Sequence, residues 1–140
     1  AVDAGIMNGM SRLLAPVMRF LFPKIPQGHP ALVSIGTNFV ANILGLGWAA
    51  TPAGLRAMSD LAQLEKERGS DAIVASTEMC TFLVINISSL QLIPVNIIAF
   101  RSQYGSVNPA AIVAPAILAT LTGTLVAVIF CKLAAIRDYK

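Results

Sequence analysis

The residues best suited to bind a polar solute are amides placed inside apolar stretches of the sequence. Asn38 and Asn42 are four residues apart in the segment ALVSIGTNFVANILGLGWAA. That spacing puts both amides on one face of a helix, where each must find a hydrogen-bond partner if lipid surrounds the helix. Two uses remain open: the amides bind a neighbouring helix, or they contribute to a solute or ion site.

A second polar stripe follows in the segment MCTFLVINISSLQLIPVNIIAF and the residues just before it. Helical spacing places four polar residues on one side: Glu78, Asn86, Ser89 and Asn96. Such a stripe either packs against another helix or lines a pathway. Glu78 stands at the end of the apolar stretch, where a solvated carboxylate is expected and a proton or cation ligand is the alternative.

Glycines predict an interruption of the helix between the two polar stripes. Gly45 and Gly47 offer a helix break, and Thr51 followed by Pro52 has the pattern of an N-cap and a first helical residue. Transporters use a similar arrangement to aim the positive end of a helix at a substrate. The predicted solute-binding residues are therefore Asn38, Asn42, Gly45, Gly47, Thr51, Glu78, Asn86, Ser89 and Asn96.

The composition predicts an all-α integral membrane protein. Of 140 residues, 56% are hydrophobic and 12% are charged, about half the charged fraction of ordinary soluble domains. Three stretches contain no Asp, Glu, Lys or Arg: residues 25–55, 79–100 and 102–131. Each is long enough for a bilayer core, which needs roughly 20 apolar helical residues. The basic residues form no block, which argues against nucleic-acid binding.

Four helical elements are predicted within a single membrane domain. They are an amphipathic helix over 1–22, a Gly-broken hairpin over 30–68, and spanning helices over 71–100 and 109–136. In the last helix, a small-residue face for close helix packing is formed by Ala119, Gly123 and Ala127. The chain opens without an initiator methionine, which suggests an N-terminally truncated domain.

The basic residues indicate whether residues 30–55 cross the membrane or turn back inside it. If the segment crosses, the ten basic residues divide four to six between the two sides. If it turns back, nine share one side and Arg101 is alone on the other. The positive-inside rule favours the second arrangement. We therefore predict a re-entrant hairpin, with most charged ends in the cytoplasm.

Three ordered blocks carry a family resemblance: TNFVANILGLGWAATPAGLRAM, TFLVINISSLQLIPVNIIAFR and PAILATL. They resemble spore maturation protein A of endospore-forming bacteria, from about Leu13 to the C-terminus. That family is similar to the nucleoside-recognition or gate domains of concentrative nucleoside transporters and of the ferrous-iron transporter. The matched pattern includes Gly54 and Pro94, whereas Trp48 stands where the family pattern has asparagine.

The resemblance implies a multi-pass protein of the bacterial cytoplasmic (inner) membrane. It also implies a sister membrane protein, spore maturation protein B, as partner in dehydrating the spore core. Two functions remain open: a gate-type transport component for a small polar solute or ion, and a non-transporting assembly factor that scaffolds a partner complex or a homo-oligomer.

An enzyme is not expected, because the sequence offers no Ser/His/Asp set and no metal-ligand cluster. No cofactor is predicted. Cys80 and Cys131 fit two buried thiols better than a disulfide framework or metal ligands, because they are far apart in sequence and lie in or beside apolar stretches.

Overall fold

The computed structural model describes residues 14–69, 74–88 and 91–137, and every regular element in these ranges is helical. Helix α1 covers residues 14–21. The other elements are α2 (Pro30–Ile43), α3 (Gly47–Glu67), α4 (Thr77–Ser88), α5 (Val95–Gln103), a short 3-10 helix (Pro109–Ile112) and α6 (Val113–Arg137). The all-α prediction is confirmed for this part of the chain. The predictions for residues 1–13 and for Ser89 lie outside the described residues.

Helices α2 and α3 lie antiparallel and form the most extensive helix contact in the described structure. The end of the pair away from the connecting turn is here called its open end. There, His29 Nε2 lies 3.5 Å from Glu67 Oε2. Closer to the turn, the Ser34 hydroxyl donates to Asp60 Oδ2 at 2.5 Å. The two helices are therefore joined by polar contacts along their length as well as by apolar packing.

Gly45 makes the tight turn between α2 and α3 possible. Its φ is +70°, in the left-handed region that glycine adopts without steric cost. The N–H of Leu46 donates to Ala41 at 2.8 Å and that of Gly45 to Asn42 at 2.9 Å, the bonding pattern of a Schellman motif. A Cβ on Gly45 would also collide with the carbonyl oxygen of Ile93.

Helix α3 begins earlier than the Thr51-Pro52 pattern predicted. It starts at Gly47 and holds Pro52 in its interior, so the predicted N-cap role of Thr51 is wrong. The Thr51 hydroxyl instead donates to the Gly47 carbonyl at 3.3 Å. The first turn is held by tertiary contact, because Ala50 is buried and its carbonyl accepts a hydrogen bond from Asn38. Tertiary contact outweighs the local capping signal here.

The helix predicted over 71–100 is present as two helices, because α4 ends at Ser88 and α5 begins at Val95. Pro94 lacks an N–H and disfavours helical geometry at the residue before it. The N–H of Leu92 donates instead to the Ile43 carbonyl in α2 at 2.9 Å. With 12 residues, α4 is about 18 Å long, which is too short to cross a bilayer core of about 30 Å.

Among the described residues, one helical segment is long and apolar enough to cross a membrane. It is Pro109–Ala135, with 27 residues, which joins the 3-10 turn to α6. Its bounds agree with the helix predicted over 109–136, and very little of its apolar surface is buried. The sequence predicted two spanning helices. The one predicted over 71–100 is divided between α4 and α5.

The buried core lies where α1, α2, α3 and α4 meet. Phe39 is its centre, with its ring centroid 6.4 Å from that of Phe22 and 6.2 Å from that of Phe82. These rings come from three separate parts of the chain, so their burial joins α4 to the first two helices. The other core residues are Met18, Leu21, Ile25, Ala31, Ile35, Ala57, Leu61, Leu64, Ile85 and Cys131.

We expect Gly45→Ala to destabilise the protein more than Gly69→Ala. Both glycines have positive φ, +70° and +75°, so both substitutions incur a left-handed strain of about 1–2 kcal/mol. A Cβ on Gly69 would meet open space, whereas a Cβ on Gly45 would collide with the Ile93 carbonyl oxygen. This overpacking adds about 1–3 kcal/mol to the cost of Gly45→Ala. Thermal unfolding of the detergent-solubilised variants measures the difference. Equal losses would show that the approach of Ile93 imposes no constraint.

Candidate functional site

Three asparagines from two helices form a connected group, here called the amide cluster: Asn38, Asn42 and Asn86. Asn42 Nδ2 donates to Asn38 Oδ1 at 3.1 Å and to Asn86 Oδ1 at 2.8 Å. Both N–H groups of Asn42 are therefore in use. Sequence spacing predicted that Asn38 and Asn42 share a helix face, and the packing of α4 against α2 brings in Asn86.

The amide cluster also reaches α3. Asn38 is almost fully buried, and its Nδ2 donates to the Ala50 carbonyl at 2.8 Å. Gly54 lies directly against it, since a Cβ at that position would be 3.0 Å from Asn38 Nδ2 and 3.9 Å from Asn86 Nδ2. The absence of a side chain at Gly54 lets α3 approach closely. The amide cluster thus joins three helices.

The chemistry of the amide cluster is neutral hydrogen bonding. Carboxamides offer donors and acceptors to a polar solute, but they supply neither a general base nor a strong metal ligand. Within residues 14–69, 74–88 and 91–137, no group of three His, Cys, Asp or Glu side chains could hold a metal ion. In the same ranges, every fully buried side-chain nitrogen or oxygen has a hydrogen-bond partner.

The turn between α2 and α3 meets the break between α4 and α5 beside the amide cluster. The Leu92–Ile43 hydrogen bond of 2.9 Å joins the two breaks, and Ile43 follows Asn42 in sequence. A Cβ on Gly47 would be 3.9 Å from Asn96 Nδ2. Helices α3 and α5 both begin at this meeting point, since Val95 Cγ2 would be 3.3 Å from a Cβ on Gly45. Neither helix has a side-chain N-cap.

A cavity of about 290 Å³ adjoins the amide cluster and is bounded by residues of α1, α2, α4 and α6. Its polar lining residues are Asn42, Asn86 and Thr124. The other walls are aliphatic or aromatic, with Phe20 and Phe39 among them. The cavity gives the amides a neighbouring space with few competing polar groups.

The predicted solute-binding residues within the described ranges are distributed over four places in the structure. Asn38, Asn42 and Asn86 meet directly. The meeting point of the two breaks holds Gly45, Gly47 and Asn96. Thr51 lies exposed on α3, and Glu78 lies eight residues before Asn86 on α4, about 12 Å along the helix axis.

Glu78 belongs to a separate, charged contact. It is buried, and its Oε1 lies 3.4 Å from Arg68 Nη1. The interpretation of Glu78 as a solvated carboxylate is therefore wrong. Arg68 also contacts Glu65 at 2.6 Å and donates to the Lys24 carbonyl at 2.6 Å. Sequence reasoning missed this role of Arg68, because its partners come from α3, α4 and the loop after α1.

The small residues of α6 differ in their surroundings. Ala127 is buried, and a Cβ on Gly123 would be 3.9 Å from the Ser88 carbonyl at the end of α4. The Thr124 hydroxyl also reaches that carbonyl, at 3.5 Å. Ala119 is exposed. The C-terminal part of the predicted packing face therefore lies at the contact with α4.

Two further side chains lie on the surface. Trp48 is 94% exposed in the first turn of α3, so the tip of the hairpin presents an indole where the family pattern has an amide. Cys80 is exposed and Cys131 is buried. The prediction of two buried thiols is confirmed for Cys131 and wrong for Cys80.

No protein-family model and no solved structure matches this chain. Among curated proteins, spore maturation protein A of Bacillus subtilis (strain 168) is 43% identical to it over 129 residues. The aligned part makes up 92% of this chain and 64% of the relative, so the chain spans just under two thirds of the relative's length. Identity at this level over nearly the whole chain agrees with the resemblance carried by its Asn- and Gly-containing blocks. The chain is therefore similar to spore maturation protein A over nearly its whole length.

Proposed function

We propose that this protein is a multi-pass membrane component of spore maturation. Its similarity to spore maturation protein A supports the biological role. The long apolar segment Pro109–Ala135 supports a membrane location. The proposal includes dehydration of the spore core together with a sister membrane protein like spore maturation protein B, as the family resemblance implies.

Within that role, the α2–α3 hairpin acts as a gate for a small polar solute. One observation carries this assignment: the turn of the hairpin meets the α4–α5 break beside the amide cluster. Helix α2 has 14 residues and is about 21 Å long, shorter than a bilayer core of about 30 Å. Short helices that end at apposed breaks are a common feature of solute sites within transporters.

The amide cluster suits an uncharged polar solute. A solute that takes over the bonds of Asn42 and Asn86 exchanges one set of neutral hydrogen bonds for another, so the net cost of opening the contact is small. Asn38 would position Asn42 through their 3.1 Å bond. An ion would instead require compensating charge, which the described part of this cluster does not offer.

The hairpin re-enters the membrane from the cytoplasmic side in this proposal. Its helix α2 is too short to cross alone, and the distribution of basic residues favours the re-entrant arrangement. The irregular backbone between α2 and α3 would be tolerated at depth because the α4–α5 break covers it.

An alternative function is a non-transporting assembly factor. The observation that favours it is the exposure of α6, since very little of the Pro109–Ala135 segment is buried. The amide cluster then only fixes the helices, and α6 binds a partner such as a spore maturation protein B-like chain or a second copy.

We expect Asn86→Leu to disable the gate and leave the partner complex intact. The change removes the acceptor of the 2.8 Å bond from Asn42 and leaves a part-buried donor unpaired, at a cost of about 1–3 kcal/mol. Asn108→Leu is the matched control, because Asn108 is exposed, makes no side-chain cap hydrogen bond and lies outside the amide cluster and the meeting point of the two breaks. The full-length variants would be tested in a sporulating host for core water content, spore heat survival and co-purification of the partner.

The result separates the two functions. Wet, heat-sensitive spores with normal co-purification support the gate, provided that Asn108→Leu resembles the wild type. Loss of co-purification in Asn86→Leu, with the protein still folded, supports the assembly role instead.

We expect single-cysteine probes to place Lys24, Arg56 and Arg137 on one side of the membrane and Tyr104 on the other. The background would be a Cys80- and Cys131-free variant of the full-length protein, labelled in sealed membranes with an impermeant thiol reagent. This pattern follows from a hairpin that returns to its side of entry. Labelling of Lys24 and Arg56 from opposite sides would exclude the re-entrant hairpin.

A further inference from the structure

Arg68 makes three contacts at the open end of the hairpin, and they differ in length. Its Nη1 lies 2.6 Å from Glu65 Oε1, three residues earlier on α3. Its Nη2 donates at 2.6 Å to the Lys24 carbonyl, in the loop that leads into α2. The third contact, from Nη1 to Glu78 Oε1 on α4, measures 3.4 Å and is longer than the usual charge-assisted hydrogen bond of about 2.7–2.9 Å. Two close contacts therefore hold Arg68 within the hairpin and its leading loop, and the longest one reaches α4.

One face of α4 meets the hairpin at three successive turns. Glu78, Phe82 and Asn86 are four residues apart and so lie on the same side of the helix. Their respective partners on the hairpin are Arg68, Phe39 and Asn42. The two outer contacts are polar and directional, whereas aromatic rings pack over a range of offsets. A polar contact at each end of this face therefore fixes α4 on the hairpin.

Breaking the contact between Arg68 and Glu78 leaves neither charge without a stabilising neighbour. Arg68 keeps Glu65 and the Lys24 carbonyl. Glu78 lies in the first turn of α4, where the helix dipole stabilises a negative charge, and water would reach it as α4 moves away. An ion pair is costly to separate when one charge is left buried and unpaired. This pair avoids that cost, so its geometry permits repeated opening and closing.

We propose that Arg68, Glu65 and Glu78 form a latch that regulates the gate from the open end of the hairpin. In the closed state Arg68 Nη1 contacts both carboxylates, and in the open state it stays with Glu65 alone. Glu78 and Asn86 belong to the same helix of 12 residues, so release at Glu78 lets α4 move away from the amide cluster as well. The inference rests on the proposed gate, because it concerns the regulation of that same contact.

The two glutamates of the latch act in opposite directions. Glu78 attracts Arg68 only in the closed state. Glu65 attracts Arg68 in both states, and in the closed state it also repels Glu78, because the two carboxylates share one nitrogen. Removing the charge of Glu78 therefore favours the open state, whereas removing the charge of Glu65 favours the closed state. A purely structural ion-pair group would instead be loosened by either change.

Distance measurements between spin labels on α3 and α4 test the latch. The full-length protein in lipid nanodiscs would carry labels at Cys80, which is exposed on α4, and at Ser59→Cys on the exposed side of α3, with no other cysteine. We expect Glu78→Gln to raise the ratio of open to closed protein about five-fold. Glu65→Gln should lower it about two-fold, since partly exposed ion pairs contribute on this scale.

Each glutamate change would also be combined with Asn86→Leu. That substitution removes the polar contact at the other end of α4, so it should populate the open state enough for a decrease to be measured. Glu67→Gln is the matched control, because Glu67 lies in the last turn of α3 but contacts His29 within the hairpin. It should leave the ratio unchanged. In an Arg68→Gln background, Glu65→Gln should lose most of its effect, because Glu65 acts through Arg68.

Shifts of the same sign in Glu65→Gln and Glu78→Gln would overturn the latch, and so would a shift of equal size in Glu67→Gln. Thermal unfolding of each variant checks that it is folded. If Asn86→Leu opens the protein and neither glutamate change alters the ratio, the latch alone is overturned and the gate stands. A single, unchanged distance in every variant, Asn86→Leu included, would overturn the gate together with its latch.

Discussion

The two hydrogen bonds donated by Asn42 are the constraint on which the arrangement of α2, α3 and α4 depends. They join Asn38 on its own helix to Asn86 on α4, at 3.1 and 2.8 Å, and Asn38 extends the connection to α3. An amide that loses its partner in apolar surroundings costs about 1–3 kcal/mol. Aliphatic side chains tolerate sliding of one helix along another, whereas these bonds fix one register. Gly54 is part of the same constraint, because a larger residue would push α3 off the amides.

The two ends of the hairpin are held by different chemistry. Near the turn the contacts are neutral amides and backbone groups, whereas at the open end Arg68 meets Glu65, Glu78 and the Lys24 carbonyl. If the hairpin enters a membrane by its turn, the charged contacts lie near water, where the dielectric constant is high. The neutral contacts then lie deep in the membrane, where it is low. A charge at the turn would be costly there. An open end with only neutral groups would lack the stronger hydrogen bonds that ionised groups make.

Sequence periodicity predicted much of the local structure and less of its assembly. The four-residue spacing placed Asn38 and Asn42 on one face, and glycine chemistry placed a turn at Gly45. The start of α3 was misplaced because the Thr51-Pro52 pattern is a local signal, whereas contacts with α2 hold the preceding turn in helical form. Neither the burial of Glu78 nor its pairing with Arg68 could be predicted, since both depend on how α4 folds back against α3. Pro94 signalled an interruption, but only the bond between Leu92 and Ile43 decides that the chain leaves the helix there.

The proposed gate and the fold rely on the same atoms. Backbone groups at a helix break must be satisfied by protein wherever water is excluded, and here the two breaks satisfy each other through the Leu92–Ile43 hydrogen bond. Moving the hairpin away from α4 would therefore expose backbone groups at both breaks together with the amides of Asn42 and Asn86. A polar solute can replace those partners, whereas lipid cannot. In the proposed gate, opening is thus coupled to the presence of a hydrogen-bonding solute. In the closed arrangement, every fully buried side-chain nitrogen and oxygen of residues 14–69, 74–88 and 91–137 has a hydrogen-bond partner.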